Sequence, residues 1–303
     1  MNGARWHKLG LLFAPPTGLP WVHSHAMLPV AEPHAHGVRI HYNGRDERGR
    51  AQTGTFELDP RDLTRVTEVA WEPELTLGPL GSFADNGVTA CSLVEHRGIR
   101  YLYYAGWTLG VTVPFYVAIG VALSDDGGLT YHKESDAPIL GRSPVDPLLC
   151  GGPSVLVDNG VFRMWYASAV RWTIEDGKPK HYYHIRYAES KDGVVWTPQG
   201  TVCIDFKNAD EHAISRPFVL KDGVVYRMWY SSRGASYRIG YAESKDGIVW
   251  TRRDDQVGID VSTEGWDSEM IEYPQVFDYA GNRYMVYNGN GYGRTGIGLA
   301  ILR

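Results

Sequence analysis

A repeated segment restricts, more than any other feature, what this chain can fold into. The segments HIRYAESKDGVVWT (184–197) and RIGYAESKDGIVWT (238–251) match closely, and GVFRMWYAS (160–168) and GVVYRMWYSS (223–232) precede them. Three weaker copies follow the same pattern, namely VRIHYNG (38–44), RYLYYAG (100–106) and RYMVYNG (283–289). Self-similarity at a fixed period is typical of propellers and other repeat folds, so we expect five equivalent structural units.

An anchor position fixes the register of the five copies, because it lies ten residues before the residue that opens each second strand (Arg39, Tyr101, Arg163, Arg227 and Tyr284). It is occupied by Pro29, Cys91, Pro153, Pro217 and Pro274. After each anchor we predict an apolar inner strand, an aromatic-rich second strand such as RMWYAS, a third strand such as YRIGYAES, and an outer fourth strand. Turns such as SKDGIVW (244–250) connect the third and fourth strands, and their aspartate is expected to bond the turn backbone.

The two ends of the chain complement each other. The last copy stops after its third strand, GIGLAILR, whereas the N-terminal RWHKLGLLF has the character of an outer strand. We therefore expect the N-terminal strand to complete the last unit and close a ring, which hides sheet edges. The predicted fold is an all-β, five-bladed β-propeller with four-stranded blades. The blades run over 21–75, 80–140, 146–204, 210–260 and 267–303 plus 5–14, within a single domain of residues 1–303.

The composition argues against several classes of function. The net charge of −5 disfavours nucleic acid as a partner, because phosphate requires a basic surface. No run approaches the roughly 20 apolar residues of a membrane helix, and the apolar run 9–14 is too short for a signal peptide. The three cysteines lie far apart, without metal-binding spacing, and are expected to be free thiols. We expect a cytoplasmic protein without nucleic-acid or membrane partners, and the sequence does not indicate its oligomeric state.

The motifs RMWYxS and YAESKDGxxW, their period and the terminal closure resemble those of the five-bladed propellers of the glycosidase-like superfamily. This group includes arabinanases, β-xylosidases, invertases and mannoside phosphorylases. The resemblance covers essentially the whole chain and implies a sugar ligand bound in a central funnel. Arabinanase-like relatives place carboxylates at the start of three inner strands. Here Leu28 and Gly151 stand at two such positions, and the one EGP-like segment, Glu272-Tyr273-Pro274, lies in the fifth blade.

Ionisable residues cluster just before the anchors, where the inner strands begin. The candidate catalytic residues are Glu272, Glu211, Asp85, Glu269, His25 and His212. Carboxylates that crowd one cleft repel each other, which raises the pKa of one and yields the acid and base that glycoside cleavage needs. The histidines are candidate acids or bases, or ligands of a divalent metal together with the carboxylates. The sequence indicates no other cofactor.

A second set of residues is predicted to bind the substrate. Its members lie before the anchors or in the loops between second and third strands, at the same end of each blade: His23, Asn86, Arg216, Tyr273, Trp107, Arg171, Arg233, Arg45 and Tyr292. Aromatic faces stack on sugar rings, and arginine forks bind carboxylate or phosphate. The predicted ligand is a small carbohydrate or sugar phosphate.

Three functional hypotheses follow. The leading one is a glycoside hydrolase-like enzyme, with Glu272 or Glu211 as general acid and Asp85 or Glu269 as base or nucleophile. The second keeps the site but makes the enzyme a lyase, isomerase or phosphorylase that acts on a nucleotide sugar or an acidic sugar. The third is a carbohydrate-binding propeller without catalysis.

Overall fold

A computed structural model describes residues 5–303, and the regular secondary structure in this range is almost entirely β-strand. The first antiparallel unit consists of β2 (Ser24–His34), β3 (Gly37–Arg45), β4 (Ala51–Asp59) and β5 (Asp62–Val69). The second consists of β6 (Gly87–His96), β7 (Ile99–Leu109), β8 (Phe115–Ser124) and β9 (His132–Lys133). The all-β prediction is confirmed.

The remaining strands repeat this arrangement. The third unit consists of β10 (Cys150–Asp158), β11 (Val161–Glu175), β12 (Lys178–Ser190) and β13 (Thr197–Ile204). The fourth consists of β14 (Ala213–Asp222), β15 (Val225–Arg233), β16 (Tyr237–Ser244) and β17 (Trp250–Arg252), followed by a 3-10 turn at Asp254–Gln256. The fifth contains β18 (Glu272–Tyr279), β19 (Asn282–Asn288), the short helix α1 (Asn290–Gly293) and β20 (Ile297–Leu302).

The N-terminal strand β1 (Trp6–Phe13) forms the outer edge of the fifth unit. It pairs antiparallel with β20, and the backbones of Arg5 and Arg303 exchange two hydrogen bonds of 2.9 Å. Its ends reach two other units, because the Trp6 ring meets Trp229 of the fourth unit and Phe13 stacks on Phe56 of the first. One strand therefore joins both ends of the chain and packs against three units.

Apolar side chains fill the spaces between neighbouring units. In one such cluster Tyr103 and Val121 of the second unit pack against Phe162 and Tyr166 of the third. The inner strands contact one another in sequence, β2 with β6, β6 with β10, β10 with β14 and β14 with β18, and β18 contacts β2. The starts of the inner strands are thereby brought close together.

The residue before the anchor has a left-handed backbone in four units. Leu28 (φ 49°), Gly152 (φ 56°), Arg216 (φ 47°) and Tyr273 (φ 55°) each precede a proline, and strand pairing slips at each point. Proline disfavours a helical conformation in the preceding residue, and a bulge re-aims its side chain. For the three non-glycine residues this conformation is strained, and such strain concentrates at functional sites.

The turns between third and fourth strands are held by their aspartates. Asp192 Oδ1 accepts hydrogen bonds from the backbone NH groups of Val194 and Val195, and Asp246 does the same for Ile248 and Val249. Each turn carboxylate is therefore used by its own hairpin, as the sequence predicts.

A buried ionic network lies beside the first two units, away from the starts of the inner strands. His41 is fully buried, and its Nδ1 and Nε2 lie 2.6 and 3.2 Å from Glu74 and Glu32. Arg100 also pairs with Glu32. Burial alone would lower the pKa of His41, but the charges and hydrogen bonds of Glu74 and Glu32 raise it to about 9. His41 is therefore a cation in the folded protein at neutral pH.

This network predicts a loss of stability at alkaline pH. Because the pKa of His41 is raised from 6.5 in the unfolded chain to about 9, its contribution is complete below pH 6.5 and is lost as pH rises through 9. We expect the free energy of unfolding to fall by about 3 kcal/mol over this window. Urea titrations at several pH values would measure it. His41→Gln should flatten the dependence of the unfolding free energy on pH, and His36→Gln should not. If the unfolding free energy of the wild type does not change with pH in this window, His41 is not the cation that we assign.

Candidate active site

A cavity with two adjoining chambers lies where the five units meet. The chambers measure about 220 and 170 Å³ and share four lining residues, Leu28, Phe115, Val117 and Tyr273. The larger chamber is also lined by Met27, Arg45, Thr89, Ala105, Trp107 and Tyr292. The smaller is also lined by Leu149, Gly151, Gly152, Ala167, Tyr183, Ser215 and Arg216. We call the two together the two-chamber cavity.

The strained backbone before the anchors builds this cavity. All four left-handed residues line it, one from each of the first, third, fourth and fifth units: Leu28, Gly152, Arg216 and Tyr273. Residues one position earlier, such as Met27, Thr89 and Ser215, also line it. In each unit at least one of the two positions directly before the anchor therefore lies in the wall of a common space.

Aromatic rings form part of the wall. Trp107 lies so close over Gly87 that a Cβ atom there would be 1.6 Å from its Nε1, which fixes the position of the indole. Phe115 touches both chambers, and its ring centroid lies 5.6 Å from that of Trp172. Flat, rigidly held rings of this kind suit the apolar face of a sugar ring.

Glu272 is the acidic residue next to this cavity. It is 0% exposed, and neither carboxylate oxygen accepts a hydrogen bond of ordinary geometry among residues 5–303, although the Tyr273 side chain and the Tyr292 backbone lie close to it. Burial raises its pKa well above the ordinary value, against the opposing effects of the Arg233 charge, the Tyr273 side chain and the Tyr292 backbone. Burial therefore favours the protonated form of this carboxyl group, which is the form that can serve as an acid.

Tyrosines separate Glu272 from the open space. Tyr183, Tyr273 and Tyr292 line the two-chamber cavity. All three lie near Glu272, because its charge raises the pKa of Tyr183 and Tyr273, and Tyr273 and the Tyr292 backbone lower the pKa of Glu272. The Tyr183 and Tyr237 hydroxyls are 2.8 Å apart, and Arg233 Nη1 donates to the Tyr292 hydroxyl at 2.8 Å. Burial raises the pKa of Tyr273 well above its usual range, so it presents a neutral phenol.

The other three predicted carboxylates have different surroundings. Glu211 receives both Arg252 Nη groups at 2.7 and 2.9 Å and also binds the Ser232 hydroxyl. Asp85 accepts the backbone NH of Gly81 at 3.0 Å, and Glu269 is exposed. None of the three lines the two-chamber cavity. The expected convergence of four carboxylates is not observed, because positions five and six before the anchors lie in loops that precede the inner strands.

The predicted histidines lie around the cavity rather than in its wall. His25 Nδ1 is 2.8 Å from Ser24 Oγ, and burial with the charges of Arg45 and Arg294 lowers its pKa to about 4. His212 Nδ1 lies 3.3 Å from the His181 carbonyl, and burial lowers its pKa. His25 is therefore neutral at pH 7 and able to accept a proton. Among residues 5–303 no group of three or more His, Cys, Asp or Glu is placed to hold a metal ion.

The remaining predicted binding residues divide into two groups. Arg45, Trp107, Arg216, Tyr273 and Tyr292 line the two-chamber cavity. His23 is exposed, Asn86 uses its backbone to pair with Trp107, Arg171 lies 4.0 Å over the Tyr182 ring, and Arg233 holds Tyr292. Only the first group can touch a ligand in the chambers without rearrangement.

Comparison with known proteins identifies relatives over the full length. No family model matches the chain. It is 45% identical over 298 residues to the uncharacterized protein Rv1502 of Mycobacterium tuberculosis (strain ATCC 25618 / H37Rv), covering 98% of this chain and 99% of the relative. The uncharacterized protein MT1551 of strain CDC 1551 / Oshkosh matches at the same identity. The chain belongs to this family.

Solved structures show which fold the family has. A structure described as a glycoside hydrolase superposes with a TM-score of 0.75 at 19% identity, covering 98% of this chain and 92% of that one. A member of the GH130 family of mannoside phosphorylases and glycoside hydrolases superposes with a TM-score of 0.69 at 14% identity, covering 99% and 93%. At these identities the similarity shows a shared fold, the propeller-type fold of these glycoside hydrolase structures, and nothing more. No helix in the described part of the chain is long and apolar enough to span a membrane.

Sequence reasoning missed several residues that line the cavity of this family member. Leu28, Phe115, Val117 and Tyr183 line it without having been predicted to do so. Leu28 could have been found, since it occupies the same pre-anchor position as Arg216 and Tyr273. Phe115, Val117 and Tyr183 come from third strands, and no spacing in the sequence distinguishes them from core residues.

Proposed function

We propose that the five units are the blades of one five-bladed propeller domain that β1 closes. Continuous contact of the inner strands, including β18 with β2, supports a closed ring. The pairing of β1 with β20 supports closure by the N-terminal strand. The two-chamber cavity is then the central funnel of the propeller, which is the usual place for a ligand in such folds.

In this funnel the protein acts as a carbohydrate-active enzyme that cleaves a glycosidic bond. The observation that carries this proposal is Glu272, a fully buried carboxyl group beside an aromatic cavity that accepts no hydrogen bond of ordinary geometry in the described part of the chain. An unpaired buried acid is costly for stability, and such groups occur where their proton is used. The fold of glycoside hydrolases and mannoside phosphorylases among the solved structures is consistent with this proposal.

The proton reaches the substrate through Tyr273. Glu272 is 0% exposed, whereas the Tyr273 phenol both neighbours Glu272 and faces the two chambers. The phenol donates its proton to the leaving glycosidic oxygen and takes one from Glu272. Trp107 and Phe115 hold the sugar ring. Neutral His25 lies outside the cavity wall near Arg45, and it accepts the proton of the attacking nucleophile through an intervening water.

A second reaction class is favoured by one observation. None of the acidic side chains among residues 5–303 lines either chamber, so the second carboxylate of ordinary glycoside hydrolysis is missing from this part of the wall. Phosphorolysis needs only one acid, because phosphate itself is the nucleophile. Product analysis with and without phosphate separates the two classes, since phosphorolysis yields a sugar 1-phosphate and hydrolysis a free sugar.

The proposed function is tested by turnover and its pH dependence. A panel of nitrophenyl α- and β-glycosides, with and without phosphate, should contain at least one substrate. We expect kcat/KM to rise as pH increases through about 4, where His25 becomes neutral, and to fall again as Glu272 ionises, at a pH above the ordinary range for glutamate. His25→Gln should remove the acidic limb. Absence of turnover across the panel, with sugar binding retained, would instead favour a binding protein.

A further inference from the structure

Arg216 is a buried cation for which the described residues supply no counter-ion. It is 1% exposed and lines the smaller chamber. Its Nη2 and Nη1 donate to the carbonyl groups of Pro29 and Pro217 at 3.2 and 3.5 Å, and its Nε has no partner within the described range. Among residues 5–303, no carboxylate oxygen lies within 4.0 Å of its guanidinium nitrogens.

Three other shielded arginines of this protein have acidic partners. Arg186 pairs with Asp146, Arg252 with Glu211, and Arg283 with Asp222. A buried charge is expensive unless it is paired, so this pattern is what a stable protein needs. Arg216 departs from it and in addition holds a strained left-handed backbone (φ 47°). The structure therefore keeps a cation that residues 5–303 leave unpaired at a place that a ligand can reach.

Arg45 repeats this feature in the larger chamber. Its Nε is buried without a hydrogen-bond partner, and it also forms no ion pair with a carboxylate, within the described range. The phenol of Tyr273 lies near both guanidinium groups, since it influences the pKa of Arg45 and of Arg216. Two cations thus flank one tyrosine in a space that none of the described acidic side chains lines.

We infer that Arg216 and Arg45 form an oxyanion site in the floor of the two-chamber cavity, and that the ligand carries a phosphate or carboxylate group. A guanidinium offers several N–H donors in a planar fork that matches both groups. Binding would supply the negative charge that Arg216 lacks. The inference deepens the proposed function by naming an acidic sugar as the substrate class, and it rests on that proposal only for the sugar part of the ligand.

Ligand-induced thermal stabilisation of the full chain tests this site without turnover. The probes are D-glucuronate, D-glucose 1-phosphate, inorganic phosphate and neutral D-glucose, each at the same millimolar concentration and at equal ionic strength. We expect at least one anionic probe to raise Tm by about 2–4 °C and D-glucose to raise it by less than about 1 °C. A shift with inorganic phosphate equal to that with D-glucose 1-phosphate would mark free phosphate as the ligand, whereas a larger shift with either sugar acid would mark the sugar-borne group.

Variants locate the site. Arg45→Met and Arg216→Met should each abolish the anion-dependent shift, and Arg216→Lys should retain part of it. The matched control is Arg65→Met, because Arg65 is 69% exposed on β5 and should leave the shift intact. If Arg216→Met does not fold, Arg45→Met alone decides the outcome. Equal shifts with all four probes, no shift with any, or an unchanged shift in Arg45→Met would overturn the inference.

The same measurements separate this inference from the proposed function. Glu272→Gln should keep the anion-dependent shift, because the acid does not contact the anion. A shift without turnover in the wild type would remove the proposed catalysis and leave the oxyanion site standing. Turnover of neutral glycosides without any anion-dependent shift of Tm would support the proposed catalysis and remove the oxyanion site.

Discussion

Glu272→Gln is expected to lower kcat/KM by about 10²- to 10⁴-fold, the usual contribution of a general acid. Glutamine has the shape of the protonated glutamic acid but cannot release its proton. Because Glu272 is buried and burial favours its neutral form, which glutamine resembles, Tm should change by no more than about 2 °C. Initial rates on an alkyl glycoside of the same sugar as the best panel substrate measure the first quantity, because its leaving oxygen, unlike that of nitrophenol, needs the proton. A circular dichroism melt measures the second.

Glu211→Gln is the matched control for this prediction. Its carboxylate is held by Arg252 and Ser232, so the substitution weakens a largely buried ion pair and should lower Tm by about 5 °C. Turnover per folded molecule should stay within about twofold of the wild type, since Glu211 does not line the chambers. The opposite pattern, with Glu211→Gln inactive and fully stable and Glu272→Gln active, would transfer the role of acid to Glu211.

Removal of residues 1–14 is expected to leave the protein largely unfolded at 25 °C. The deletion takes away Trp6 and Phe13, which are 6% and 7% exposed, and each such aromatic contributes about 3–5 kcal/mol. It also removes Lys8, whose Nζ lies 2.7 Å from the buried Asp267. The total stability of a domain is only about 5–15 kcal/mol, so the remaining chain should lack a cooperative melt.

A circular permutant shows whether this loss reflects the missing strand itself. In this variant a two-residue Asn-Gly linker joins Arg303 to Arg5, so that β1 follows β20 directly. Asn-Gly suits the tight turn of an antiparallel hairpin. The backbone hydrogen bonds between Arg5 and Arg303 place the two ends side by side for this connection. We expect the permutant to melt cooperatively, within about 5 °C of the wild type. A truncated chain that folds without β1 would refute closure by the N-terminal strand.

Much of the fold follows from the repeat, because each copy has the same local requirements. The anchor proline, the apolar inner strand and the aspartate of the hairpin turn are short-range features, and Asp246 bonds residues only two and three positions ahead. Such features leave a pattern in the sequence. The repeated segments therefore coincide with parts of the second and third strands, although β11 and β12 extend beyond them.

The candidate site was only partly predictable, because it depends on contacts between distant residues. Glu211 and Glu272 look equivalent as acidic residues before an anchor, but Arg252 binds Glu211 and no residue in the described range gives the oxygens of Glu272 a hydrogen bond of ordinary geometry. No feature of the sequence around position 211 indicates that an arginine 41 residues later binds this carboxylate. The left-handed backbone at Tyr273 likewise determines which side chain faces the chambers, and the sequence alone does not reveal it.

The pre-anchor positions have a consequence for how ligand preference can change within this family. Leu28, Gly152, Arg216 and Tyr273 come from four separate units, and each reaches the same space by the same backbone bend. The bend coincides with a bulge in each of the four strands, so one backbone geometry presents a leucine, a glycine, an arginine and a tyrosine to one space. The chemistry of the cavity wall is therefore determined by which residue stands at each of these four positions, and a change at one of them would alter the wall from one unit only.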